Sequence, residues 1–326
     1  MNRRSLIRAL SATLLGAAVG APALAQDAAY PSQSIRIILP WPPGGLTDTI
    51  GRLIAQTLGD RLGQSVYVDN RPGASGNIGT AQAARAAADG YTLLLASSTP
   101  NSANPHLYSH LGFDPRKDFA GIGLIATAPN VLLVRADSPY KTANDLIAAV
   151  RAQPGKLTYG SAGTASSGHL AGSTFTHVFK LDMLHVPYKG AGPALVDLMS
   201  GQIDVMLDPS ALPHIRSGKL RALAVPATRR LPALPDVPTF EEATGTQGMI
   251  ASAWYGLAAP AGTPPAILER LNRELNAVLD SPAVKQQLID FGADPRGMSA
   301  PEFDTFMQSE IDRYGRIIKD ANVKIE

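Results

Sequence analysis

The residues of this chain best suited to chemistry are glycines and hydroxyls, set where strands turn into helices. Pro40-Trp41-Pro42-Pro43-Gly44-Gly45-Leu46-Thr47-Asp48 follows the apolar run Ile35 to Leu39 and precedes Ile50, Leu53, Ile54 and Leu58 at helical spacing. Gly44 and Gly45 let the backbone approach a ligand closely, and the free N–H groups of a helix start attract anions. A second such loop, Tyr159-Gly160-Ser161-Ala162-Gly163-Thr164-Ala165-Ser166-Ser167-Gly168-His169, follows the apolar Leu157–Tyr159 and leads into a helix from about Leu170. Hydroxyls and amides together can satisfy both oxygens of a carboxylate without a protein cation. A turn that needs small residues for close packing would show the same glycines and serines. Two such loops in one chain favour the binding reading.

Other chemistries fit less well. A third loop, Tyr188-Lys189-Gly190-Ala191-Gly192-Pro193, also enters a helix, with Pro193 suited to its first position; Lys189 could attract an acidic ligand but reads rather as a solvated surface lysine. No Gly-Lys-Ser/Thr ending and no Gly-x-Gly-x-x-Gly opens the first helix, so a nucleotide site is not expected. Ser166, Ser167, His169 and Asp208 could make an exported serine hydrolase, but there is no Gly-x-Ser-x-Gly elbow, and Ser167 and His169 are too close in sequence for a working pair. His106 and His110 lack a carboxylate partner, so neither a metal nor a cofactor is expected. Asp48, in a first helical turn, reads as a dipole or capping acid, and Asp208, before Pro209, equally as a turn former. Facing a cleft, either would favour an amine or hydroxyl over a second carboxylate.

The elements that position these loops begin after a leader. Arg3, Arg4 and Arg8, the uncharged Ala9–Ala21 and Ala23-Leu24-Ala25 read as a signal peptide over residues 1–25, exported by either the Sec or the twin-arginine route. The apolar run is too short for a span, which needs roughly 20 residues. Three arginines leave with the signal, so the formal charge of +2 falls to −1 and nothing points to nucleic acid or a membrane surface. The absence of cysteine excludes disulfides, thiolate metal sites and a cysteine nucleophile. Strands expected at Ser65–Val68, Tyr91–Ala96, Val131–Val134, Leu157–Tyr159, Val205–Leu207 and Leu220–Val225 alternate with helices at Asn144–Ala152, Pro193–Ser200, Pro264–Leu279 and Pro301–Asp320. That alternation argues an α/β fold with mainly parallel sheets. The chain after Trp254 reads as mostly helical and packs back on the earlier sheet. The expected division is a discontinuous first lobe, 26–126 with 249–326, and a second lobe, 127–248.

Taken together, Pro42–Asp48, Asn70-Arg71-Pro72-Gly73-Ala74-Ser75-Gly76-Asn77-Ile78-Gly79, Gly160-Ser161 through His169-Leu170, Val186-Pro187-Tyr188-Lys189-Gly190, and Asp197-Leu198 with Gly201-Gln202-Ile203-Asp204 resemble the Bug family. These are the extracytoplasmic receptors of tripartite tricarboxylate transporters, and the resemblance spans essentially the whole chain after the signal. It implies a type II-like, two-lobed periplasmic-binding-protein clamshell that closes on a small carboxylated compound. It also implies a non-enzymatic role, a periplasmic location, membrane transporter subunits as partners and a monomeric state. Carried over, the pincer is Trp41, Gly44, Gly45 and Asp48 on one lobe and Ser161, Thr164, Ser167 and His169 on the other. Ser97, Thr99 and Asp208 match positions that shape the cleft, and the bulk of Trp41 suits an aromatic or apolar distal group.

Overall fold

The computed structural model describes residues 30–320 and 323; the signal peptide expected over residues 1–25 lies outside them. The chain builds β1 (Ile35–Leu39), α1 (Leu46–Leu62), β2 (Val66–Asn70), α2 (Asn77–Ala84), β3 (Thr92–Ser97) and β4 (Phe119–Pro129). It crosses to a second sheet with β5 (Val131–Arg135), α3 (Ala143–Ala152), β6 (Thr158–Ser161), α4 (Ser167–Phe179), β7 (Leu184–Pro187), α5 (Ala191–Ser200), β8 (Val205–Asp208), α6 (Leu212–Arg216), β9 (Leu220–Ala224) and α7 (Phe240–Thr244). It returns with β10 (Ser252–Pro260), α8 (Pro265–Asp280), α9 (Pro282–Asp290), β11 (Asp294–Pro295) and α10 (Ala300–Asp320). Two sheets result, ordered β11-β4-β10-β3-β1-β2 and β7-β6-β8-β5-β9, one in each of two lobes.

The hydrophobic pattern explains the layers. β1 lies between β2 and β3, and its apolar run is buried because both faces of an interior parallel strand are covered. In the second sheet Leu132 and Val134 enter one core and Val131 and Leu133 the other, so β5 is also covered on both faces. α1 stops at Gly63, whose φ of +68° suits a left-handed C-terminal residue. Thr142 and Asp145 form a capping box that starts α3. Leu271, Leu275, Val278 and Leu279 are the buried stripe of α8, and Phe303, Met307, Ile311, Tyr314 and Ile318 that of α10.

One sequence expectation is corrected and another is refined. The sheets are mixed rather than mainly parallel: four ladders are parallel and five antiparallel. Four of the antiparallel ladders involve β5 or β10, which run against their neighbours because they begin or end at the crossings between the two sheets, and the fifth adds the short β11 to the edge strand β4. The chain after Trp254 is mostly helical, as expected, through α8, α9 and α10, but Trp254 itself is not in that helical part. It lies within the nine-residue β10, packed edge-on against Phe303 and Phe306 of α10.

Candidate functional site

The first loop hangs from the end of β1 and is held by Asp48. Its Oδ2 accepts the Gly44 N–H (3.1 Å) and Arg52 Nε (3.0 Å), and its Oδ1 accepts Asn70 Nδ2 (3.0 Å). Asn70 Nδ2 also donates to the Trp41 carbonyl at 3.0 Å, so one buried carboxylate shapes the whole turn. Burial opposes ionisation of Asp48, but the hydrogen bonds from Arg52, Asn70 and Gly44 outweigh it and lower its pKa below the ordinary value. Gly44 has φ +93°, a region open to glycine. Gly45 is the N-cap of α1 and carries no side-chain cap. Trp41 Nε1 donates to Ser97 Oγ at 3.3 Å, joining the loop to the end of β3.

The second loop is braced from behind. Ser161 is fully buried; its Oγ donates to the Gly163 carbonyl at 3.0 Å and lies 2.7 Å from His185 Nε2. His169 Nδ1 accepts the Ala165 N–H at 3.0 Å, which holds Ala165 at φ +65°. His169 stacks on His185 with centroids 4.0 Å apart, and His185 stacks on Tyr159. Desolvation lowers His169 to about 4; desolvation, then the neighbouring His169, lowers His185 to about 3. Both imidazoles are therefore neutral. Ser166 caps α4, accepting the His169 N–H at 3.2 Å. Ser167 Oγ donates to Asn130 Oδ1 at 3.2 Å, and Asn130 donates to the Ala251 carbonyl through both N–H (2.9 Å) and Nδ2 (3.1 Å). Asn130 sits between β4 and β5, and Ala251 immediately precedes β10, so this bond reaches the crossings.

The lobes enclose two adjoining chambers. The inner one, about 110 Å³, receives three helix starts: Gly45 to Thr47 of α1, Ser166 and Ser167 of α4, and Gly190 to Gly192 of α5. The caps of α1 and α5 are glycines with no side-chain bond, so their first-turn amides have no partner within the helix. Asp208, at the end of β8, and Tyr255, on β10, complete this chamber. Burial raises the Asp208 pKa, partly offset by hydrogen bonds from the Ser210 hydroxyl and N–H. Burial, then the Asp208 charge, raises that of Tyr255, whose hydroxyl bonds Thr47. The outer chamber, about 650 Å³, lies between the Pro72–Gly76 segment and the 162–164 and 187–190 segments. Ser75 Oγ donates across it to the Thr164 carbonyl at 2.6 Å, and Tyr108 donates to Ser75 Oγ at 3.2 Å.

Of the residues the sequence singled out, Trp41, Gly45, Ser97, Thr99, Ser167 and Asp208 line the inner chamber. Thr164 lines the outer chamber. Gly44, Asp48, Ser161 and His169 line neither and act as supports. Sequence reasoning passed over Tyr255, Ser210 and Ser98, and took Lys189, which lines both chambers, for a surface lysine. A Tyr beside Trp254 in an apolar run was the only local signal for Tyr255. The hydrolase set is not assembled. The Ser166 hydroxyl caps a helix, Ser167 bonds Asn130, His169 Nδ1 is engaged by a backbone amide, and Asp208 bonds Ser210. The described residues contain no group of three potential metal ligands, and no described helix is long and apolar enough to cross a membrane.

A family model described as tripartite tricarboxylate transporter family receptor matches residues 50–323. The chain belongs to this receptor family. BugT of Bordetella pertussis is 36% identical over 329 residues, covering 100% of both chains, which upholds the Bug resemblance. The solved structure of Rpa4515 from R. palustris with adipate has a TM-score of 0.87 at 35% identity, covering 90% of this chain and 99% of that one. MatC (Rpa3494) from Rhodopseudomonas palustris with bound malate gives 0.80 at 33% identity, covering 89% and 100%. Members of the receptor family are two-lobed solute-binding proteins, and the two sheets of this chain have that architecture.

Proposed function

We propose that this chain is a non-enzymatic periplasmic receptor that encloses a small carboxylated compound between its lobes and presents it, as a monomer, to membrane transporter subunits. The observation that carries this reading is the convergence of three helix N-termini on one inter-lobe chamber, two of them capped by bare glycines. Such amides suit a carboxylate, and the neighbouring hydroxyls of Ser97, Thr99 and Ser167 complete its shell. The relatives solved with adipate and malate support an organic acid as the cargo. The proposal includes cleavage of the leader after Ala25 and the lobe division 26–126 with 249–326 against 127–248. The sheet crossings beside Asn130 and Ala251 support that division to within a few residues. Closure is a hinge motion, driven by the ligand's better contacts with the closed state.

The test is a titration of residues 26–326, refolded to strip any bound cargo, with mono- and dicarboxylates, hydroxy acids, amino acids and aromatic acids. Saturable thermal stabilisation by an acid that is recovered unchanged is the expected result. Consumption of an ester or amide, or no stabilisation by any acid, overturns the reading.

A further inference from the structure

The helix α4 has two buried faces, and they serve different lobes. Ala171, Phe175 and Phe179 pack into the second lobe with Tyr159, Leu207 and Phe240. Leu170, 3% exposed, does not join them. It belongs to the core of the first lobe, with Ile38 of β1, Leu94 of β3, Trp254 of β10 and Phe303 and Tyr314 of α10. Among the described residues, no other member of that core cluster lies between β5 and α7.

Helical spacing creates this second face. Ser167, Leu170 and Thr174 stand at i, i+3 and i+7, and they border a small cleft shared with Arg313, Tyr314 and Ile317 of α10 and with Asn130, Ala251 and Ser252 at the sheet crossings. The receiving side chains of α10 are themselves held. Tyr314 donates to the Ser252 carbonyl at 3.0 Å, and Glu310 accepts two bonds from Arg313, at 2.7 and 2.6 Å. The Arg313 guanidinium lies 4.7 Å from the centre of the Tyr314 ring. Ser166 and Ser167, the cap and first residue of α4, line the inner chamber about one turn before Leu170.

We propose that Leu170 is a positioning residue: seated in the core of the first lobe, it sets the α4 start opposite the α1 start and stabilises the arrangement of the lobes that encloses the chamber. This rests on the receptor reading above. Opening draws Leu170 out of that core towards water, so its burial weighs against opening. The test compares one truncation in two cores. Leu170→Ala is set beside Leu146→Ala, which removes the same atoms from a fully buried residue of α3 in the core of the second lobe. Both should lower the melting temperature, because each leaves a cavity. Calorimetry with adipate and with malate should show a loss of affinity of at least about tenfold in Leu170→Ala and under about twofold in Leu146→Ala, since only the first shifts the lobes away from the binding arrangement. Small-angle scattering of the unliganded chains should give a larger radius of gyration for Leu170→Ala alone. Leu170→Met, which conserves volume, should keep wild-type behaviour in both readouts.

Equal losses of affinity in the two alanine variants, or a Leu170→Ala chain unchanged in affinity or in scattering, overturn the positioning role. Where an alanine variant does not fold, Leu170→Val and Leu146→Val carry the same comparison, with smaller changes in the same direction. If neither acid binds the wild type, the scattering comparison decides the positioning role by itself, while the receptor reading stands or falls with the wider acid titration.

Discussion

Replacing Ser75 by alanine removes a bond that exists only while the lobes face each other across the cleft. Its hydroxyl donates to the Thr164 carbonyl at 2.6 Å and is itself held by Tyr108. Alanine keeps the Cβ, so any strain of the φ +53° backbone at this position is unchanged. Both side chains are half-buried, so water can replace the lost partners. The net loss is then about 1 kcal/mol, typical of a neutral hydrogen bond. Because 1.4 kcal/mol is a factor of ten, the closed population falls about fivefold relative to the open one. A ligand bound by the closed state loses affinity by the same factor, mainly through faster release. Calorimetry with the acid giving the largest thermal shift measures the affinity, and stopped-flow displacement followed by Trp41 fluorescence measures release. Tyr108→Phe, which removes only the supporting donor, should fall between wild type and Ser75→Ala. Affinity and release both within about 1.5-fold of wild type in Ser75→Ala would refute the argument. So would a drop of several degrees in melting temperature without a change in binding, because the bond would then belong to the folded core.

Gly45→Val tests the helix-start site: φ is −89° and an added Cβ meets nothing within 4 Å, so the fold tolerates it. Loss of a favourable N-cap costs about 1 kcal/mol, or roughly 2–4 °C in melting temperature, while acid binding should weaken by at least about tenfold. His169 and His185, with pKa values lowered to about 4 and about 3, bind protons less readily folded than unfolded. Their stabilisation is complete above the unfolded value of 6.5 and declines as pH falls towards 4, by up to about 1.4 kcal/mol per pH unit for each ring; urea titrations should show a shallower decline for His185→Gln. Asp48, with its pKa lowered, stabilises fully above the unfolded value near 3.8 and loses that contribution as pH falls through its lower folded value. Asp48→Asn should be less stable near neutrality and show a weaker acid dependence in the same titrations.

Elements whose signal is local were readable from the residues. β1, the glycine loop and α1 follow one another without a long-range partner, and the α8 stripe is visible at helical spacing. β10 was missed because Ser252–Pro260 shows no polar–apolar alternation; its identity as a strand comes from pairing with β3 and β4, more than a hundred residues earlier. The antiparallel ladders were missed for a related reason, since a strand covered on both faces looks the same in either direction. In the site, Trp41, Gly45 and Ser167 could be named from their own loops. Lys189 could not, because an exposed lysine on a surface and one at a chamber mouth have the same sequence. Ser161 and His169 were read as facing the ligand, but the fold places His185 behind them and draws both inward. Only the tertiary pairing of β6 with β7 reveals that neighbour.

The link from Ser167 through Asn130 to Ala251 bears on how the molecule moves. Two chain segments that pass separately between lobes are two independent tethers, and tethers permit twisting as well as bending. Here the segments are stitched edge to edge: the β4–β10 ladder continues to Pro129 and Ser252, and Asn130 adds two bonds to Ala251. The pair behaves as a flat strap, compliant across its face and stiff in torsion. Such a strap favours opening by bending over opening by twisting. A cargo that draws the Ser167 hydroxyl away from Asn130 leaves those stitches intact and releases only the start of α4 from the strap.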